Sequence, residues 1–210
     1  RCEMLIGADA LENLKNSSVA VFGVGGVGGY VVEALTRSGV GRIAIIDKDV
    51  VDESNINRQI VALTSTIGKN KVDVMKQRML DINPDVKVEA HCEFYLPDNA
   101  DFIELGSFDY VVDAIDNVTA KIELIKRCKQ ADVPIISAMG AGNKLDPTRI
   151  EIADISKTSV CPLAKVIRRK LADLGIEGVT VAYTREIPAN ASGGRTPASM
   201  MPVPAAMGLT

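Results

Sequence analysis

An α/β fold, a mostly parallel sheet with helices on both faces, is predicted by three observations. Short apolar runs rich in β-branched residues alternate with longer stretches of helical apolar period, short polar segments join them, and a glycine-rich turn links the first run to the helix after it. Val19-Ala20-Val21-Phe22 is continuous enough to be a strand buried on both faces, and a helix is predicted from about Val27 to Ser38, with Val31, Ala34 and Leu35 on its apolar side. Gly39-Val40-Gly41 ends that helix. A second strand, Arg42 to Asp47, leads through a polar segment to a helix from about Asn70 to Ile82, stopped by Asn83-Pro84. Further strands are predicted at Lys87 to Cys92, Tyr110 to Asp113 and Pro134 to Ser137, and helices near Asn117 to Ala131 and Pro162 to Leu174. This order is Rossmann-like. From Ala138 onward, Ile150-Glu151-Ile152 and Val179 to Tyr183 alternate as one-faced antiparallel strands do, so they extend the sheet. Ile187 to Pro204, with four prolines, reads as a loop.

The size fits one domain, with residues 1–150 a nucleotide-binding core and 151–210 a substrate-side extension. The chain opens at Arg1 without a Met and stops just after an apolar Ala205 to Leu209, so an ordered fragment of a longer protein is expected. The 24 basic residues against 27 acidic ones give a net charge of −3, which argues against non-specific coating of nucleic acid but leaves room for a local basic patch. The four cysteines, Cys2, Cys92, Cys128 and Cys161, form no C-x-x-C pair, and His91 is the single histidine, so neither a disulfide framework nor a structural zinc is expected. No apolar run approaches the roughly 20 residues of a membrane helix, and no signal peptide is visible. A cytoplasmic protein without a membrane contact is the expectation.

Gly23-Val24-Gly25-Gly26-Val27-Gly28 lies between a strand and a helix, where glycines permit the turn and let backbone N–H groups approach phosphate at the helix N-terminus. Asp47, 19 positions beyond Gly28, stands where a carboxylate accepts hydrogen bonds from ribose hydroxyls, an arrangement that suits NAD and ATP alike. The segment after it carries Asp49, Asn55, Arg58 and Gln59, and Lys71 opens the following helix; two cations there suit a triphosphate better than a pyrophosphate diester. Asp116, in Asp113-Ala114-Ile115-Asp116-Asn117, has two readings: a ligand for Mg²⁺ bridging phosphates, or the cap of the helix that begins at Asn117.

Together these segments resemble the adenylating fold of the ubiquitin-activating, ThiF, MoeB and HesA superfamily, through GVGGVG at 23–28, DKD at 47–49, SNINRQ at 54–59, GKNK at 68–71 and DAIDN at 113–117. The resemblance implies ATP bound by Gly23, Gly25, Gly26 and Gly28, with Asp47 on the ribose. It places Asp49, Asn55, Arg58, Gln59 and Lys71 around the triphosphate, Asn117 among the nucleotide-binding residues, and Asp116 at the magnesium. Arg58, Lys71 and Asp116 become the catalytic candidates. It also implies a homodimer, in which Arg1 resembles the arginine lent to the partner's site.

Sulfur-carrier activators of this superfamily usually carry paired C-x-x-C zinc motifs, which are missing here. The second half, from Lys157 through Cys161-Pro162 to Leu171 and on through Gly175-Ile176 to Glu186, resembles the tRNA threonylcarbamoyladenosine dehydratase branch instead. That branch implies ATP-dependent cyclodehydration of threonylcarbamoyladenosine in tRNA through activation of its carboxylate, with a sulfur-relay protein as a candidate partner. The alternative is MoeB- or ThiF-like adenylation of the C-terminal glycine of a small ubiquitin-like carrier; an NAD-dependent oxidoreductase leaves Arg58 and Lys71 without a task. Lys165, Arg168 and Arg169 share one face of the helix that begins at Pro162, either as a tRNA phosphate contact or as an ordinary solvated face, with Leu163, Val166, Ile167 and Leu171 turned inward. Cys161 is either a reactive thiol at a helix N-terminus or a small core residue, and His91 reads as structural.

Overall fold

A computed structural model describes residues 1–189 and 198–210. Two short helices, α1 (Cys2–Ile6) and α2 (Ala8–Asn16), precede β1 (Ser18–Phe22), α3 (Gly28–Ser38), β2 (Arg42–Ile46), α4 (Lys71–Ile82) and β3 (Lys87–His91). There follow β4 (Tyr110–Asp113), α5 (Val118–Gln130), β5 (Ile135–Ala138), β6 (Ile150–Asp154), α6 (Pro162–Asp173), β7 (Thr180–Thr184) and α7 (Pro202–Leu209). The seven strands form one sheet in the order β3-β2-β1-β4-β5-β7-β6. The first half of the chain thus runs outward from β1 through β2 to β3, and then returns to the other side of β1 with β4, which leaves a crevice at the carboxyl ends of β1 and β4.

Buried residues alternate cleanly between the two faces. Val19, Val21, Ile43 and Ile45 pack with Met75 and Met79 of α4, whereas Ala20, Phe22, Ala44 and Ile46 face Leu124 and Ile125 of α5 and, further along, Ile167 and Leu171 of α6. The C-terminal strands refine the expectation. β6 and β7 pair antiparallel, but β7 also lies parallel to β5, because α6 carries the chain back across the sheet and inserts β7 between β5 and β6. β7 therefore becomes a two-faced interior strand, with Val181, Ala182, Tyr183 and Thr184 all buried, while β6 takes the edge and exposes Ile152. The predicted loop from Ile187 to Pro204 partly lies outside the described residues, at 190–197; its last residues belong to α7, where Pro202 sits at the first helical turn. Sequence periodicity also missed α1 and α2, neither of which contains a buried residue.

Glu33 ties α3 to α4. Its carboxylate accepts from Arg78 at 2.6 Å and from Arg37 at 2.7 Å while remaining buried itself. Burial alone would raise the carboxyl's pKa, but hydrogen bonds and charge from Arg78 and Arg37 outweigh it and hold the group below its ordinary range. A pKa depressed in the folded state gives a contribution that is complete above the unfolded value of about 4.3 and is lost as pH falls through the lower folded value. Glu33→Gln is therefore expected to lower the melting temperature at neutral pH, with the gap from wild type narrowing below about pH 4 as the native carboxylate protonates. A gap that stays constant down to pH 2 in thermal melts argues against this assignment.

Candidate active site

The carboxyl ends of β1, β2, β4 and β5 open on a cleft of about 850 Å³. Its first wall is the glycine turn. Gly23 adopts φ +90°, and a Cβ there would lie 2.7 Å from the Ala114 carbonyl oxygen; a Cβ on Gly28 would lie 1.8 Å from the Gly23 carbonyl oxygen. Only glycine lets the turn fold under itself against the loop that follows β4. Gly23, Gly25 and Gly26 line the cleft, whereas Gly28 is buried as the first residue of α3 and packs closely beneath the turn.

Asp47, just after β2, accepts from the Val24 N–H at 2.7 Å through one carboxylate oxygen and from the Asp49 N–H at 2.9 Å through the other. The carboxylate thus pins the glycine turn and its own loop while still lining the cleft. Lys71 is held 3.0 Å from Asp49, with the lysine side chain only 6% exposed and the aspartate 54%. The segment between them winds into a short turn in which Asp52 and Asn55 cap each other, so Asn55 is buried with its side chain committed to the turn. Arg58 donates from Nη1 to the Ser54 carbonyl at 2.8 Å and to Asn57 Oδ1 at 2.9 Å, and its stem covers Gly26. Gln59 is buried beside Gly25, and its Oε1 has no hydrogen-bond partner among the described residues.

The two readings of Asp116 separate. Asn117 is the cap of α5, accepting from the Ala120 N–H at 3.0 Å, whereas Asp116 is exposed at the cleft and makes no hydrogen bond among the described residues. No group of three or more His, Cys, Asp or Glu side chains able to hold a metal occurs among the described residues. A lone carboxylate fits Mg²⁺ only where phosphate oxygens and water complete the octahedron.

Several lining residues escaped the sequence analysis: Glu93, Phe94 and Tyr95 after β3, the run from Ala138 to Gly142 after β5, Leu163 of α6 and Pro204 of α7, whose Cβ is 3.2 Å from where a Gly26 Cβ would stand. Below the floor lies a fully buried ion pair, Lys121 Nζ to Asp113 Oδ2 at 2.9 Å. A signal for it existed. Positions 121, 124, 125 and 128 form the core-facing stripe of α5, and a lysine on such a stripe needs an acidic partner.

On α6, Lys165 and Arg169 are exposed, but Arg168 is half-buried and donates from Nη1 to Thr158 O at 2.8 Å and Thr158 Oγ1 at 2.6 Å, anchoring the chain ahead of the helix. Val166 turns outward, 44% exposed; the inward stripe is Ala164, Ile167 and Leu171. Cys161 is buried at the start of α6, and His91 stacks obliquely on Phe102 with its ring centroid 5.5 Å away, outside the cleft lining.

A glycine turn at the switch point of a parallel sheet, with a carboxylate and two cations beyond it, is the arrangement found in nucleotide-binding α/β proteins. The chain belongs to the ThiF family, whose family model matches residues 2–209. It is 55% identical over 190 residues to the tRNA threonylcarbamoyladenosine dehydratase of Bacillus subtilis (strain 168), covering 90% of this chain and 74% of that protein. The enzyme of the same name from Escherichia coli (strain K12) is 41% identical over 174 residues, 82% of this chain and 65% of that one. The crystal structure of E. coli TcdA in complex with ATP superposes with a TM-score of 0.93 at 35% identity, covering 99% of this chain and 87% of that chain. The chain therefore spans about two thirds to three quarters of these curated relatives.

Proposed function

We propose that this chain catalyses the ATP-dependent cyclodehydration of threonylcarbamoyladenosine in tRNA. The observation that carries the reading is the cleft itself: Arg58, Lys71 and the unpartnered Asp116 converge on the glycine turn, while no histidine lines the cleft and the nearby Cys161 thiol is buried. Such a site stabilises charge and offers no nucleophile of its own. The names of the relatives, and the ATP complex of TcdA, support the same reading.

In the proposed reaction, a carboxylate oxygen of the threonylcarbamoyl group attacks the α-phosphorus of ATP and pyrophosphate leaves. The urea nitrogen then attacks the activated acyl carbon, AMP departs with the former carboxylate oxygen, and the nitrogen loses its proton as the hydantoin-like ring closes. Arg58 and Lys71 balance negative charge on the phosphate oxygens, Asp47 holds the ribose, and Gln59 Oε1 gains a donor from the bound ligand. Mg²⁺, held by Asp116 together with phosphate oxygens, would supply further charge neutralisation.

Three further assignments accompany this reading. Both halves of the chain act as one domain, since strands from each share one sheet. A homodimer is supported by α1, where Met4 and Leu5 are 87% and 86% exposed next to Arg1, an apolar face suited to a second copy. The exposed Lys165 and Arg169 are the candidate tRNA phosphate contacts, with Arg168 contributing from its anchored position. The work of such an enzyme is cytoplasmic, and no helix among the described residues is long and apolar enough to cross a membrane.

The test is mass spectrometry of nucleosides from modified tRNA incubated with the full-length protein, Mg²⁺ and ATP under conditions that preserve a cyclic product. Loss of one water, only with ATP, is expected. Saturating ATP at about 100 times its Kd should also stabilise the protein by about 2.7 kcal/mol, and NAD should not. Folded, ATP-bound protein that leaves the nucleoside intact overturns the proposal and favours adenylation of a small carrier protein.

A further inference from the structure

The Asp113–Lys121 pair lies beneath the cleft, fully buried at both side chains. Lys121 Nζ donates to Asp113 Oδ2 at 2.9 Å, to Ser137 Oγ at 3.2 Å and to the Ala138 carbonyl at 2.9 Å, so each of its three protons has a partner. Ser137 Oγ donates in turn to Asp113 Oδ2 at 2.6 Å, and Asp113 Oδ1 accepts from the Ile115 N–H at 3.1 Å. The ammonium thereby joins the loops that follow two neighbouring strands, β4 and β5, and both loops line the cleft. One runs from Ala114 to Asn117 and carries Asp116; the other leaves β5 at Ala138 and forms the adjoining wall through Gly142. Ala114 also packs against the glycine turn, at the contact that forces glycine at 23.

We infer that Lys121 is a positioning residue for the proposed reaction: through Asp113 and Ser137 it fixes the loop that bears Asp116 against the wall that begins at Ala138. The inference rests on the cyclodehydration reading only for what the site does, because the positions of the two loops are physical quantities measurable without turnover. A buried lysine is an expensive way to fill this space. Apolar residues of similar volume often replace buried ion pairs without loss of stability, so what the charged cluster adds is a directed set of bonds to two particular loops.

Removing Lys121 alone leaves Asp113 buried and uncompensated, and Lys121→Met is expected to fold poorly for that reason. The informative variants are the double substitution Asp113→Asn with Lys121→Met, which removes both charges, and Ser137→Ala, which removes one hydroxyl and no charge. In the full-length protein each is measured for melting temperature, ATP affinity, turnover, and amide hydrogen exchange at Ile115 to Asn117 and Met139 to Gly142. The expected result for the double variant is an ATP affinity within about threefold of wild type and turnover reduced on the order of 100-fold, the cost of misplacing catalytic groups by about 1 Å. Faster exchange should be confined to those two loops, and Ser137→Ala should show the same pattern with a smaller loss. Wild-type turnover and unchanged loop exchange in Ser137→Ala, or in a double variant that folds, overturn the inference. A uniform rise in exchange that follows a lower melting temperature overturns it too, as a purely structural role. If wild-type protein is inactive on tRNA, the functional reading fails separately, and loop exchange still decides the role of Lys121.

Discussion

Asp116→Asn is expected to lower turnover by about two to three orders of magnitude while leaving the melting temperature nearly unchanged. The separation follows from where the residue stands. Asp116 is exposed at the cleft and makes no hydrogen bond among the described residues, and the capping of α5 belongs to Asn117, so neutralising the carboxylate removes nothing the fold uses. Surface substitutions of that kind usually fall within about 0.5 kcal/mol. What is lost is the anionic oxygen that would anchor Mg²⁺ at the phosphates. The measurement is single-turnover formation of the cyclic nucleoside beside a thermal melt, each across a Mg²⁺ titration. A near-wild-type rate removes Asp116 from the mechanism. A rate lost together with the melting transition shows a structural role that its exposure does not suggest.

Arg58→Ala should cost a comparable factor, about 10²–10³ in kcat, corresponding to about 2.7–4 kcal/mol of transition-state stabilisation. Its backbone-anchored geometry explains why lysine should be a poor substitute. Nη1 is occupied by the Ser54 carbonyl and Asn57 Oδ1, which leaves Nε and Nη2 without a protein partner among the described residues and sets the plane of the guanidinium. A lysine supplies charge but cannot make the anchoring bonds and a directed bond to phosphate together. Arg58→Lys should therefore recover only part of the loss, with ATP affinity less affected than turnover. Full recovery in Arg58→Lys shows that charge alone matters there, and an unaltered Arg58→Ala rate excludes the residue. Lys71 differs from Arg58 in having Asp49 as an internal partner, so its charge is shared before any phosphate arrives.

Local rules account for much of what was legible. A strand buried on both faces, a glycine turn and a capped helix follow from neighbours within a few residues, and β1, α3, β2 and β4 lie where the apolar pattern and the glycines place them. The same locality made most of the cleft legible, because Gly23, Gly25, Gly26, Asp47 and Asp116 sit beside the ends of those elements, while Arg58 was legible from the polar segment between β2 and α4. α1 and α2 escaped because they are short, five and nine residues, and bury no residue fully; α2 does present Leu14 to the core, but over too few turns for the period to stand out.

Alternation and helical period belong to the chain itself, and with the glycine turn they were enough to determine the α/β class, the order of elements from β1 to β7 and the edge of the sheet that carries the cleft. Partnerships between distant residues belong to the folded molecule. Only packing decided that β7 inserts beside β5, that Arg168 is spent on Thr158, that Gly28 lies under the turn, and that Lys121 meets Asp113 and Ser137 in the core. The physical reason is that a charge or a strand edge accepts any of several partners of the right kind. Which one it meets is fixed by the position of whole helices and strands, a property no local stretch of sequence carries.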